Sequence, residues 1–140
     1  MKRVAALGLD VGKKRMGVAG CDGTGLIATG LTTIYRTSWA ADIRQLQEII
    51  QEREVEILVV GMPYTLDGSV GFQAKQVEKF ANKITRILKL PIEYVDERLT
   101  SVEAEARLKA SKKFSTRNKG AIDRQAAAII LQQWLDTRRT

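Results

Sequence analysis

The first ten positions hold an apolar run with almost no alternation, Val4, Ala5, Ala6, Leu7 and Leu9 among them. A run of that kind reads as a strand covered on both faces. Met16, Val18 and Ala19 within residues 15–21, and Leu26, Ile27, Leu31 and Ile34 within residues 26–34, predict two further strands. The turns between the three, at Gly12-Lys13-Lys14 and at Asp22-Gly23-Thr24-Gly25, are short enough to force antiparallel hairpins. From Trp39 to about Arg53 the period changes: Ile43, Leu46, Ile49 and Ile50 recur at helical spacing. Val55 to Val60 then reads as a buried strand ending at Gly61, and the Pro- and Gly-bearing stretch from Gly61 to Ser69 as a loop. A helix carrying Phe72, Val77, Phe80, Ile84 and Leu88 follows, and Pro91 stops the chain before a short strand, Ile92 to Val95. Thr100-Ser101-Val102-Glu103 has the spacing of a capping box and predicts a helix to about Lys109, followed by an exposed stretch over 110–118. The last helix is expected from about Gly120 or Ala121 to Asp136, with Ile122, Ala126, Ile129, Ile130, Trp134 and Leu135 inward.

This order predicts an α/β fold in one domain spanning residues 1–140, with no repeat and no linker to divide it. The central sheet is mixed, three antiparallel strands then two parallel ones, flanked by helices. Right-handed crossovers would return the fourth and fifth strands beside the first, so that the carboxyl ends of strands one, four and five become neighbours. Ligands of open α/β sheets sit at such ends.

Composition narrows the chemistry that could occupy that edge. The 140 residues suffice for a core that buries roughly 70% of the unfolded surface. A single cysteine, Cys21, excludes an internal disulfide and a thiolate zinc cluster and favours a reducing compartment; Cys21 itself reads as a small core residue. The absence of histidine removes the usual general base, the Ser-His and Cys-His pairs and imidazole metal ligands. No apolar run approaches the roughly 20 residues of a membrane span, and Met1-Lys2-Arg3-Val4 leads straight into a strand, so a cytoplasmic location is expected. Lys and Arg number 23 against 16 Asp and Glu, a net charge of +7, which points to a polyanionic partner. Seven basic residues and one acid lie between Arg107 and Arg124, which leaves the rest of the chain nearly neutral.

Acids fall at the predicted strand ends. Asp10 closes the first apolar run, and Asp96-Glu97-Arg98 follows the fifth strand. A carboxylate among apolar residues must be paired, protonated or bound to a cation. Asp10 could instead cap the Gly12 turn, Asp96 and Glu97 could be a solvated turn paired with Arg98, and Asp123 could merely favour the start of the last helix. If the acids meet, a divalent cation relieves their repulsion, and an oxygen-only ligand set selects Mg²⁺ or Mn²⁺ over zinc. Two such ions about 3.5–4 Å apart can activate water and steady a leaving oxygen at a phosphodiester without any side-chain base. Beside such a site, basic residues would hold the phosphates of a nucleic acid.

Four separated motifs resemble, in order, those of the YqgF family. They are Leu9 to Ala19, Gly61-Met62-Pro63 with Asp67-Gly68-Ser69, Asp96 to Ser101, and Lys119 with Asp123, Ala126, Ala127, Ile130 and Leu131. That family comprises bacterial pre-16S rRNA nucleases related to RuvC-type Holliday junction resolvases. The resemblance covers nearly the whole chain and implies an RNase H-like fold and maturation of the 5′ end of 16S rRNA. It also implies a catalytic and metal-binding set of Asp10, Glu97 and Asp123. In that reading Asp10 bridges two Mg²⁺ or Mn²⁺ ions, Glu97 and Asp123 complete one shell each, and Asp96 stands behind them. Lys13, Lys14, Arg15, Lys112, Lys113, Arg117 and Lys119 are the expected nucleic-acid contacts, and Gly61, Gly68 and Ser69 offer backbone amides to substrate. Thr65 departs from the asparagine more common in that loop.

Pre-rRNA is the favoured partner through the resemblance, with branched DNA as the alternative substrate of a junction resolvase. A non-catalytic RNA-binding or ribosome-assembly module would share every feature except metal use. Aromatic residues make up only 6% of the chain, and Trp39 and Trp134 sit in helical apolar patterns, which predicts no base-stacking platform. A strand-Asp-x-Gly hairpin also opens actin-like and sugar-kinase ATPases, but those close two lobes over a nucleotide and this chain has length for one.

Overall fold

The computed structural model describes residues 3–99 and 119–138. Five strands form one sheet: β1 (Ala6–Val11), β2 (Arg15–Cys21), β3 (Ala28–Tyr35), β4 (Ile57–Met62) and β5 (Ile92–Asp96). Among the described residues the helices are α1 (Trp39–Arg53), α2 (Phe72–Leu88) and α3 (Lys119–Arg138), with a short 3₁₀ turn at Glu97–Leu99. The spatial order is β3-β2-β1-β4-β5. Strands β1 and β2 pair antiparallel, as do β2 and β3, while β1 with β4 and β4 with β5 run parallel. This is the mixed sheet that the two tight turns and two crossover helices demand.

Alternation along the strands divides the core in two. Leu7, Leu9, Met16, Val18, Leu58 and Val60 meet Ile43 and Leu46 of α1 and Val77, Phe80 and Ile84 of α2. Ala6, Ala19, Cys21, Val59 and Val95 take the other face and meet Ile130, Leu131, Trp134 and Leu135 of α3. Both faces are covered, which is why β1 and β4 read as continuous apolar runs. Ser38 starts α1 by accepting the Ala41 amide at 3.2 Å.

The two faces differ in side-chain size, and that difference positions α3. A β-carbon on Gly8 would stand 2.7 Å from Leu131 Cβ, and one on Gly17 only 1.9 Å from the Asp123 carbonyl oxygen. One on Gly30 would reach 3.0 Å from Arg124 Cβ. Small residues in β1, β2 and β3 therefore let the helix backbone lie directly on the sheet.

Several expectations shift by a few residues. Leu26 and Ile27 lie at the exposed tip of the β2–β3 hairpin, before β3 starts at Ala28. Phe72 opens α2 but is 81% exposed, outside the core. On α3 the buried apolar positions are Ala127, Ile130, Leu131, Trp134 and Leu135, while Ile122, Ala126 and Ile129 are only partly buried. Cys21 is a free, buried thiol, as its place in the apolar pattern implied. The capping-box helix and the stretch over 110–118 lie outside the described residues. Among the described residues no helix is long and apolar enough to cross a membrane.

Candidate active site

Asp10 belongs to β1 itself, in register with Gly17 of β2, so it is not a cap of the Gly12 turn. That turn closes instead through the Gly12 amide to the Arg15 carbonyl at 2.9 Å, and Arg36 Nη1 donates to the Gly12 carbonyl at 2.6 Å. Asp10 alternates with the core residues Leu9 and Val11 and so faces α3. Gly17 opposite it leaves the space into which the Asp123 backbone fits. Burial, then the Asp123 charge, push the Asp10 carboxyl up to about 6.

Glu97 arrives from the other side, one residue past β5, whose Val95 and Asp96 pair with Gly61 and Met62 of β4. Its Oε1 lies 2.6 Å from where a β-carbon on Gly61 would stand, and Ile130 Cδ1 lies 2.5 Å from the same point. Gly61 thus makes room for the Glu97 carboxylate beside an apolar side chain. Burial, then Asp10 and Asp96, push the Glu97 carboxyl up to about 7. Asp10 and Glu97 therefore share one poorly solvated region at the carboxyl edge of the sheet, and the Asp10 charge disfavours ionisation of Glu97.

Asp96 behaves differently. Arg98 holds it through Nη2 to Oδ2 at 2.6 Å and Nε to Oδ1 at 3.0 Å, with the Arg98 amide on Oδ1 at 2.9 Å. These bonds keep its carboxyl below the usual range. Arg98 Nη1 also donates to the Leu66 carbonyl at 3.2 Å, which ties Asp96 to the loop after β4. Of the adjacent acids, Asp96 is the anchor and Glu97 the one turned toward Asp10.

Asp123 stands in the second turn of α3, since that helix starts at Lys119, and not in the first turn as its spacing suggested. Its Oδ2 accepts Arg15 Nε at 2.6 Å. Arg15 thus lies at the acidic edge, paired with an acid, while Lys13, Lys14 and Lys119 are exposed. Lys112, Lys113 and Arg117 lie outside the described residues. Among the described residues no three of His, Cys, Asp and Glu form a group that could hold a metal ion. The Asp123 charge acts on Asp10 and the Asp10 charge on Glu97, but Asp123 is turned to Arg15.

Thr65, the departure in the loop, closes it: its amide donates to the Ser69 carbonyl at 3.1 Å, and its hydroxyl meets Asp67 and the Ser69 hydroxyl. Gly68, at φ +87°, has the left-handed conformation that this tight turn requires. Sequence reasoning missed the Arg15–Asp123 pair and the neighbours Gly17 and Ile130. The available signal was Gly17, a glycine inside a strand seven residues beyond an acid, which marks a close backbone approach.

A mixed sheet ordered β3-β2-β1-β4-β5, with acids from β1, the end of β5 and the last helix at one edge, defines an RNase H-like protein of the resolvase type. The fold matches Thermus thermophilus RuvC solved in complex with a Holliday junction substrate, at a TM-score of 0.59 and 12% identity, over 97% of this chain and 96% of that one. It also matches the Fowlpox virus resolvase solved with Holliday junction DNA, at 0.60 and 8%, over 96% and 99%. The profile of the RuvX family, described as Holliday junction resolvase, matches residues 4–137, and the chain belongs to this nuclease family. A protein of Rippkaea orientalis named "Putative pre-16S rRNA nuclease" is 72% identical over 99% of this chain and 100% of its own length. One of the same name from Synechocystis sp. is 66% identical, over 99% and 91%.

Proposed function

We propose that this chain is a divalent-metal-dependent nuclease that processes the 5′ end of pre-16S rRNA through Asp10, Glu97 and Asp123. The observation that carries the reading is the convergence of Asp10 and Glu97, 87 positions apart in the sequence, in one poorly solvated spot where the Asp10 charge raises the cost of ionising Glu97. A hard cation would relieve that cost, since an oxygen-only donor set suits Mg²⁺ or Mn²⁺. Asp10 and Glu97 would hold such an ion, and Asp123, paired here with Arg15, would complete the set. Such an ion, once bound, supplies water activation and charge neutralisation at the scissile phosphate.

The chain's own residues do the rest. Asp10 sits on a strand paired on both sides, so its carboxylate is held in place without a flexible tether. Ile130 and the face of α3 keep bulk water from Glu97. Arg15, at the acidic edge, would meet a substrate phosphate once Asp123 held an ion, and Lys13 and Lys14 on the adjoining turn would meet its neighbours. The names of the high-identity relatives favour RNA as substrate, whereas the fold is shared with resolvases solved on junction DNA.

The test incubates wild type and Asp10→Asn with labelled pre-rRNA fragments and with a four-way DNA junction, in Mn²⁺ and in EDTA. Wild type is expected to cut the RNA in Mn²⁺ only, and Asp10→Asn to lose at least about a hundredfold in rate. Preferred cutting of the junction assigns the DNA substrate instead. RNA bound equally well with and without metal, and never cut, would reduce the chain to a binding module.

A further inference from the structure

The opposite face of the sheet carries a feature that the acidic edge does not use. A groove of about 810 Å³ opens between the β1–β2 turn, the start of α1 and α2. Among the described residues its charged lining consists of Lys13, Arg36, Lys79 and Lys83, with no Asp or Glu. Rings stand among these cations. Lys83 Nζ lies 4.1 Å above the Trp39 ring and Arg36 Cζ 4.7 Å above Phe80, and the two rings meet edge to face at 5.5 Å. Phe72, whose large apolar ring is 81% exposed, lines the same groove. Arg36 is tied down by the Gly12 carbonyl and by Asp42, 3.7 Å away, so it shapes the wall, while Lys13, Lys79 and Lys83 are exposed.

Position joins the groove to the chemistry. Asp10 and Val11 are consecutive on β1; Asp10 turns to the α3 face and Val11 lines the groove. A strand leaving the acidic edge across the β1–β2 turn passes Lys13 and enters it. The exposed lysines suit phosphates, and rings at the groove surface, the exposed Phe72 and the half-buried Trp39 beneath Lys83, suit bases that are not paired in a duplex. We infer that the α1–α2 groove holds the single-stranded flank of the nucleic-acid substrate, with Lys79 and Lys83 on its phosphates and Trp39 and Phe72 against its bases. This rests on the nuclease reading above, and it runs against the expectation of no base-stacking platform, which the experiment below decides.

The experiment measures binding in EDTA, where no cutting occurs, using labelled oligouridylates of about 5 and about 15 nucleotides. Lys79→Glu/Lys83→Glu is expected to bind the longer strand at least about tenfold more weakly than wild type. Its salt slope should be shallower by about 1.4, at about 0.7 for each phosphate lost. Lys79→Arg/Lys83→Arg should restore binding. In a Trp134→Phe background, Trp39 emission should be quenched by the longer strand. If the charge-reversed protein melts early, Lys79→Gln/Lys83→Gln replaces it.

Wild-type affinity and salt slope in the charge-reversed protein would overturn the inference, as would unquenched Trp39. Equal binding and quenching by a polyglutamate peptide would also overturn it, by assigning the groove to acidic protein partners. The two readings fail separately: Asp10→Asn that still cuts removes the catalytic assignment, and unaltered binding by the charge-reversed protein removes the groove alone.

Discussion

Two carboxylates with one shared problem dominate the residue scale. Asp10 and Glu97 are raised to about 6 and about 7, chiefly by burial, whereas an unfolded chain holds such groups near 4. Below about pH 4 both states keep the protons and the groups favour neither. Between about pH 4 and 7 the unfolded chain releases protons that the folded one retains, so stability falls as pH rises, by roughly 3 kcal/mol per group at most. In EDTA the melting temperature should therefore drop from pH 5 to pH 8. Asp10→Asn should melt higher than wild type at pH 8 and lose much of that slope, and added Mn²⁺ should remove it from wild type. Identical slopes for the two proteins in EDTA would show that the carboxylates are not in conflict. Asp96 predicts the reverse: Asp96→Ala leaves Arg98 without its partner and frees the loop at Leu66. Faster proteolysis of residues 63–71 should follow, with less loss of cleavage than Glu97→Gln causes.

At the scale of elements, the contact between α3 and the sheet sets where Asp123 stands. A β-carbon at Gly17 cannot coexist with an Asp123 carbonyl 1.9 Å away, so Gly17→Ala must push the start of α3 off β2. Overpacking of this kind costs typically about 1–3 kcal/mol, and the displacement moves Asp123 away from Asp10. Calorimetry should show a lower melting temperature, with cleavage falling further than stability does. Gly61→Ala separates the two effects, because one of its clashes is with the Glu97 carboxylate itself. Its activity should fall at least about tenfold for a loss of about 1–2 kcal/mol. Equal activity in Gly61→Ala and wild type would mean that Glu97 need not occupy that space.

For the whole molecule, the arrangement divides labour between the faces of one sheet. The α3 face brings acids together at a closely packed edge, and the α1–α2 face offers cations and rings over a longer span. Much of this was legible in the residues. The two tight turns force three antiparallel strands, the helical periods of 39–53 and 72–88 force crossovers, and an acid inside an apolar strand demands a cation or a proton. The choice between Asp96 and Glu97 was not legible, because it depends on Arg98 folding back onto the nearer acid. Nor was the part played by Trp39, which has a helical period like any core residue but lies beside Lys83 only once α2 packs against α1. Sequence by itself determined the antiparallel hairpins, the helices at 39–53 and 72–88 and the acids available to the chemistry, since those follow from periodicity and from interactions between near neighbours. Tertiary structure alone decided which carboxylates face one another, that Arg15 engages Asp123, and where the cationic groove runs. These depend on distances between residues far apart along the chain, which only the packing of helices on the sheet determines.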